Sequence, residues 1–228
     1  MGYTVPLALQ DYMTVIFSAF GLTLLTRMTW QMEPKLGQMA LLGLILTVTG
    51  GLAKATGKLV LAAGGPDIAW LNLGLFPLIA PGLTLIAWAL YQVRRMFRRQ
   101  AALRQPWLVP ILVFTIVGAG VIAISNAGGP WRVPLILLSA IANVALLAML
   151  IAAAWGRKMW LTGSLFLINL TVILVMAWLT SIPTFSIALV WTEQIVQTIS
   201  QMLFTIGAWQ YGGHMLISYR QQLVAQLA

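Results

Sequence analysis

Seven long apolar segments fill almost the whole chain, and of its thirteen Lys and Arg residues all but Lys54, Lys58 and Arg132 fall in alternate gaps between them. Each segment is close to the roughly 20 residues that cross a bilayer core as helix. The expected fold is all-α: a polytopic membrane protein with a seven-transmembrane-helix bundle, forming a single domain over residues 1–228.

The segments cover residues 7–26, 38–63, 69–93, 107–125, 133–155, 159–180 and 185–216. The second and seventh exceed the usual length, so they tilt or continue beyond the membrane as helix. Turn chemistry separates them: Glu33-Pro34, Gly64-Gly65-Pro66-Asp67, the stretch from Asn126 to Pro130, and Ile182-Pro183. Gaps this short make sequential helices antiparallel neighbours.

Composition narrows the chemistry. Hydrophobic residues make up 61% and charged residues 7%, with a mean hydropathy of +0.93, far from the soluble balance of roughly half apolar and a quarter charged. No cysteine is present, which removes disulfides, thiolate metal sites and cysteine nucleophiles, and the single histidine removes bis-His haem. No cofactor or metal is expected.

Orientation follows from the basic residues. Arg27, Lys35, Arg94, Arg95, Arg98, Arg99, Arg104, Arg157, Lys158 and Arg220 lie on one side and Arg132 alone on the other. The N-terminus is therefore expected outside and the C-terminus in the cytoplasm, in the plasma membrane and specifically a bacterial inner membrane. The net charge of +9 would point to nucleic acid in a soluble protein. Here the arginine cluster after the third segment reads as a contact for the anionic headgroups of membrane lipids, and no nucleic-acid partner is expected.

Trp30, Trp70, Tyr91, Trp107, Trp131, Trp155, Trp160 and Tyr219 fall near segment ends as an aromatic belt. The first segment has no basic residue before it, contains Asp11 and ends without a small-residue cleavage site, so it is expected to be retained rather than cleaved as a signal peptide.

The second segment carries the most expensive residues. Thr47, Gly51, Lys54 and Lys58 follow helical offsets that align them on one face, which cannot look at lipid. Lys54 lies on the order of 13 Å below the outer edge, at 1.5 Å per residue. Lys58 is shallower and within snorkelling reach of the surface. Glu193, in the seventh segment, lies on the order of 12 Å deep, and Gln197, Ser200 and Gln201 continue its stripe. Asp11 and Asp67 are nearer the surface, as partners for Lys58.

The expectation is an outward-facing polar chamber where the first, second and seventh segments meet, with Lys54 paired to Glu193. The candidate ligand-binding residues are Asp11, Lys54, Lys58, Glu193, Gln197 and Gln201. The same residues also have a structural reading, in which ion pairs and amide hydrogen bonds hold helices in register.

Pro77 and Pro81, followed by Gly82, are expected to kink or break the third helix near mid-membrane, because proline lacks the N–H donor and clashes with the preceding turn. Carbonyls freed there would line a site. Gly50, Gly51, Ala55, Gly118, Gly120, Ala142, Ala145, Ala148 and Ala152 are expected at close helix contacts. Asn143, Asn169 and Thr171 offer interhelical hydrogen bonds or polar lining. His214 reads as a headgroup or packing contact, and residues 218–228 as a partly amphipathic tail on the inner surface.

Catalysis is not expected: the chain lacks Gly-x-Ser-x-Gly, His-Glu-x-x-His, a glycine-rich phosphate loop and clustered carboxylates. A retinal protein is excluded because residues 185–216 contain no lysine. A three-plus-one-plus-three arrangement is compatible with small sugar or amino-acid carriers, but no convincing repeat relates the first three segments to the last three.

Two functional classes remain. One is transport or binding of a small anionic solute or lipid headgroup in the chamber. The other is a non-catalytic subunit, scaffold or sensor that acts through a membrane-protein partner or as a homo-oligomer. Two lysines on one face exceed what a single pair with Glu193 requires, which favours the first.

Overall fold

A single extended residue turns the chain from its first helix into its second. Pro34 fixes the start of a helix and disfavours helical backbone in the residue before it; Glu33 accordingly sits at φ −149°, ψ 107° between α1 (Val5–Met32) and α2 (Pro34–Ala62). Arg27 and Lys35, expected in a loop, are thus helical. The turn is tight enough that a Cβ on Gly37 would lie 2.5 Å from the Cα of Trp30.

The computed structural model describes residues 4–97, 100, 105–179 and 187–227, and every regular element among them is helical. After α2 come α3 (Ala69–Leu73), α4 (Leu75–Phe97), α5 (Leu108–Asn126), α6 (Val133–Trp155), α7 (Trp160–Leu179) and α8 (Ile187–Leu227). Arg98, Arg99, Arg104 and the Ile182-Pro183 turn lie outside the described residues.

Six helices are long and apolar enough to cross a membrane, as a membrane protein requires: α1, α2, α3 with α4, α5, α6 and α7. The last helix is not among them. At 41 residues α8 is easily long enough, and it continues through Gly212-Gly213 and past Leu216 into the tail, in place of a separate surface segment.

Glycine ends two helices by the same device. Gly64 (φ +81°) and Gly128 (φ +68°) take left-handed backbone, and the next residue in each case, Gly65 or Gly129, donates back to Val60 (2.8 Å) or Ile124 (2.9 Å). This is the Schellman cap, which satisfies carbonyls the helix leaves open. Lys158 (φ 62°) does the same after α6, with Met159 donating to Ala154 at 3.0 Å.

The third span breaks elsewhere than expected. The interruption is at Gly74, between α3 and α4, near the end of the span, whereas Pro77 and Pro81 both sit in continuous helix. Pro77 falls in the first turn of α4, where the missing N–H has no intrahelical partner to lose.

The helices close into a ring. α1 packs on α2, α2 on α4, α4 on α6, α6 on α7, α7 on α8, and α8 returns to α1. The fourth span, α5, lies outside it, touching α6 and α4, and Pro110 is its one buried residue among those described. Exchanging α1 with α6, α2 with α7 and α4 with α8 reproduces this order of neighbours, a three-plus-three arrangement for which the residues themselves give no repeat.

Glycines decide the α2–α4 contact. A Cβ on Gly43 would lie 2.6 Å from the carbonyl oxygen of Gly82, and one on Gly82 would lie 2.8 Å from the carbonyl oxygen of Gly43. Gly50 and Gly51 approach α4 and α1 less tightly, a Cβ on each lying 3.1 Å from Leu75 and Val15. The expectation fails at Gly118 and Gly120, which face open space, and at Ala145, Ala148 and Ala152, which are exposed on the outside of α6. These residues share sequence spacing with the true contacts but lie on helix faces turned away from the ring.

The apolar core fills the half of the ring nearer Glu33, Trp155 and the basic residues. Leu25, Met28, Met39, Leu85, Ile86, Leu147 and Phe166 are almost fully buried there. Phe166 packs on Phe204 at 5.8 Å and edge-on to Tyr211 at 6.3 Å between ring centroids.

Candidate functional site

The other half of the ring holds a cavity of about 320 Å³. Five of its walls are long spans: the first half of α1, the second half of α2, the start of α4, and the middles of α6 and α7; the sixth is the first half of α8. It therefore lies toward the end where α1 begins and α2 ends, away from Arg94, Arg95, Arg157 and Lys158. Leu22, Leu83 and Phe204 floor it, and the ring of Phe204 rests on Gly21, where a Cβ would come within 2.6 Å.

All six residues singled out from the sequence, Asp11, Lys54, Lys58, Glu193, Gln197 and Gln201, line this one cavity. The walls are wider than expected, because α6 and α7 contribute Asn143 and Asn169 alongside α1, α2, α4 and α8. Thr14, Ser18 and Gln194 also line it and had not been singled out. Their one detectable signal is helical spacing, Thr14 and Ser18 following Asp11 at offsets that share its face.

Of the two expected ion pairs, one forms and the other does not. Lys58 pairs with Asp11, the two side chains being 13% and 14% exposed. Lys54 and Glu193 do not form a pair, and neither makes a hydrogen bond or ion pair among the described residues. Lys54 is nonetheless within electrostatic range of Lys58, Asp11 and Glu193. Matching depth along two helices does not fix the angle each side chain takes about its axis, so equal depth alone was insufficient to join them.

Asp67, the other acid expected beside Lys58, accepts a hydrogen bond from Asn72 at 3.0 Å. Lys54 keeps accessible surface although it lies well within α2, as a residue lining the cavity does.

Around the cavity most polar groups are committed to holding helices together. Gln10 donates to Thr198 (3.1 Å), Thr14 and Thr198 share a hydrogen bond (2.9 Å), and Thr205 donates to the Phe17 carbonyl (2.6 Å), joining α1 to α8. Tyr12 and Thr56 join α1 to α2 at 2.8 Å. Asn169 donates to the hydroxyl (2.8 Å) and carbonyl (3.0 Å) oxygens of Ser200, joining α7 to α8.

A second set is uncommitted. Gln194 is 7% exposed and its Oε1 has no donor. Gln197 and Gln201 make no side-chain hydrogen bond among the described residues. The site thus presents one ammonium, one carboxylate and several amides to whatever enters. No group of three or more His, Asp or Glu residues able to hold a metal occurs among the described residues. His214 is exposed on the far half of α8 and contributes nothing to the cavity.

Compared with known proteins, the chain matches no family model, no curated protein and no solved structure.

Proposed function

We propose that the chain is a seven-span protein of a bacterial inner membrane, N-terminus outside and C-terminus in the cytoplasm, whose chamber binds or carries a small solute with an anionic group or an anionic lipid headgroup. The observation that carries this reading is Lys54. An ammonium within a membrane segment costs about 2.5–3.5 kcal/mol on insertion scales. Lys58 offsets that cost with Asp11, whereas Lys54 faces the cavity without a partner among the described residues. A purely structural lysine would be paired, and an unpaired one in a chamber is available to an anion.

The remaining features support the same reading. α8 is too polar to be recognised as a span by its apolarity, but it packs between α1 and α7 and turns its acid and amides into the cavity. The basic residues cluster at the opposite end of the bundle, which puts the chamber's mouth outside under the positive-inside rule, with Arg94, Arg95 and Arg157 at the height of the inner headgroups. Passage to the cytoplasm requires the stack of Phe166, Phe204 and Tyr211 to part. The reading involves no catalytic step.

A second reading, that of a non-catalytic subunit acting through a partner, draws on α5. Its Leu108, Ile111, Leu112, Ile116 and Ile122 are all more than half exposed, an apolar surface that another membrane protein or a second copy would cover as well as lipid does.

The deciding experiment is a thermal-shift titration of purified wild type and Lys54→Met with butyrate, inorganic phosphate and phosphatidylglycerol. The ligand reading requires an anion that stabilises wild type and not the variant. If no anion shifts wild type and the variant merely melts earlier, Lys54 is structural and the subunit reading takes over.

A further inference from the structure

We propose that the chamber's ligand is a zwitterion, with a primary ammonium beside its anionic group: a free amino acid or the phosphoethanolamine headgroup of a lipid. This rests on the ligand-binding reading above and narrows it.

Four charged side chains line the chamber, Asp11, Lys54, Lys58 and Glu193. Asp11 and Lys58 neutralise each other. What remains is Lys54, a donor without an acceptor among the described residues, and Glu193, an acceptor without a donor among them, in one cavity but not paired with each other. A simple anion held by Lys54 would leave the Glu193 carboxylate uncompensated and facing like charge, which disfavours binding. A molecule carrying both signs satisfies the two walls at once.

Gln194 adds an independent observation. It lines the same cavity from the same helix as Glu193, it is 7% exposed, and its Oε1 lacks a donor. A buried polar atom without a partner is expensive and calls for one. Two acceptors lacking donors on the α8 wall fit an N–H-bearing cation with several donors. A quaternary ammonium has none and is normally held by an aromatic cage, whereas among the described residues Phe204 is the one aromatic lining this cavity. A volume of about 320 Å³ lies at the small end of ligand pockets, roughly 300–1,000 Å³, as a compact solute or headgroup requires.

The test measures thermal shift and binding for wild type, Glu193→Gln and Lys54→Met in phosphatidylglycerol nanodiscs. The probes are glycine, β-alanine and γ-aminobutyrate, with butyrate, butylamine and glycine betaine as single-charge and quaternary controls. A parallel set of nanodiscs contains phosphatidylethanolamine. The proposal requires that a primary-ammonium zwitterion, free or as the lipid headgroup, bind wild type about tenfold or more tighter than butyrate, the equivalent of one charge-assisted contact. It also requires that Glu193→Gln erase that preference while keeping the response to butyrate, and that Lys54→Met lose both.

A response to the free amino acids identifies a soluble solute, and one confined to the phosphatidylethanolamine discs identifies the headgroup; either supports the proposal. Equal binding of butyrate and the zwitterions by wild type overturns it and leaves the anion reading standing, and this comparison needs no variant to fold. Silence from wild type toward every probe, anions included, removes both.

Discussion

Asp11 on α1 and Lys58 on α2 form an ion pair at the wall of the chamber, with 14% and 13% of their side chains exposed. One turn back along the same helix, Lys54 has no such partner among the described residues. The two lysines share a helical face and a membrane setting, yet one is compensated within the protein and the other is not.

That contrast gives a stability prediction. Removing one member of a fully buried pair costs about 3–5 kcal/mol because it strands the other charge; with partial exposure, Asp11→Asn or Lys58→Met is expected to cost about 1–3 kcal/mol. The double variant should recover part of the loss. A double-mutant cycle on Asp11 and Lys58, followed by unfolding in detergent, should yield a coupling of about 1 kcal/mol or more. The same cycle on Lys54 and Glu193 should be additive, and a large coupling there would contradict the separation of these two groups.

Lys54→Met is expected to leave the unliganded protein as stable as wild type, or more so, since it removes an unpaired ammonium from a membrane segment. Differential scanning of the two proteins without ligand checks this. A clear fall in Tm would mean that Lys54 holds the fold through contacts the described residues do not contain.

The contact between α2 and α4 should be intolerant of a single methyl group. Gly43→Ala and Gly82→Ala each drive a Cβ against a backbone carbonyl oxygen, at 2.6 and 2.8 Å, and neither oxygen can rotate away. A loss of about 1–3 kcal/mol is expected from such overpacking. Gly118→Ala, which meets open space, is the matched control and should be neutral or slightly stabilising in the same assay.

Asn169 is 2% exposed and donates to Ser200 across the α7–α8 contact. Asn169→Leu should cost about 0.5–2 kcal/mol, the range for interhelical hydrogen bonds in membranes. Ser200→Ala removes one of the two acceptors and should cost less, because the Ser200 carbonyl still accepts at 3.0 Å.

The absence of cysteine makes topology directly measurable. With the chamber's mouth outside, a membrane-impermeant maleimide should label Asp67→Cys in intact cells and label Lys158→Cys only after lysis. The reverse pattern would invert the proposed orientation and put the chamber on the cytoplasmic side.

Particular residues show where reading the chain succeeded. Pro34, Gly64 and Gly128 marked helix boundaries because backbone constraints of this kind are local, and all three act at boundaries in the structure. Helical offsets likewise put Lys54 and Lys58 on one face of α2, whereas bringing that face, Asp11 of α1 and Glu193 of α8 to one cavity is the work of packing between helices. Gly74 was missed as the break in the third span because the two prolines gave the stronger local signal. Asn143 and Asn169 were left open between hydrogen bonding and lining, and Gln194 was not singled out, since a polar residue at an ordinary helical position looks alike whether it faces the ring or its outside.

By itself the sequence determined that the chain is helical and membrane-type, where its charges fall along each helix, and which faces are polar, because length, hydropathy and helical period are properties of one segment at a time. Only the tertiary structure decided that the six ring helices leave α5 outside, that Lys58 takes Asp11, and that Lys54 and Glu193 face the cavity without pairing. Those outcomes depend on how each helix is rotated about its own axis against its neighbours, which glycine contacts such as that of Gly43 with Gly82 govern across distances that no single helix encodes.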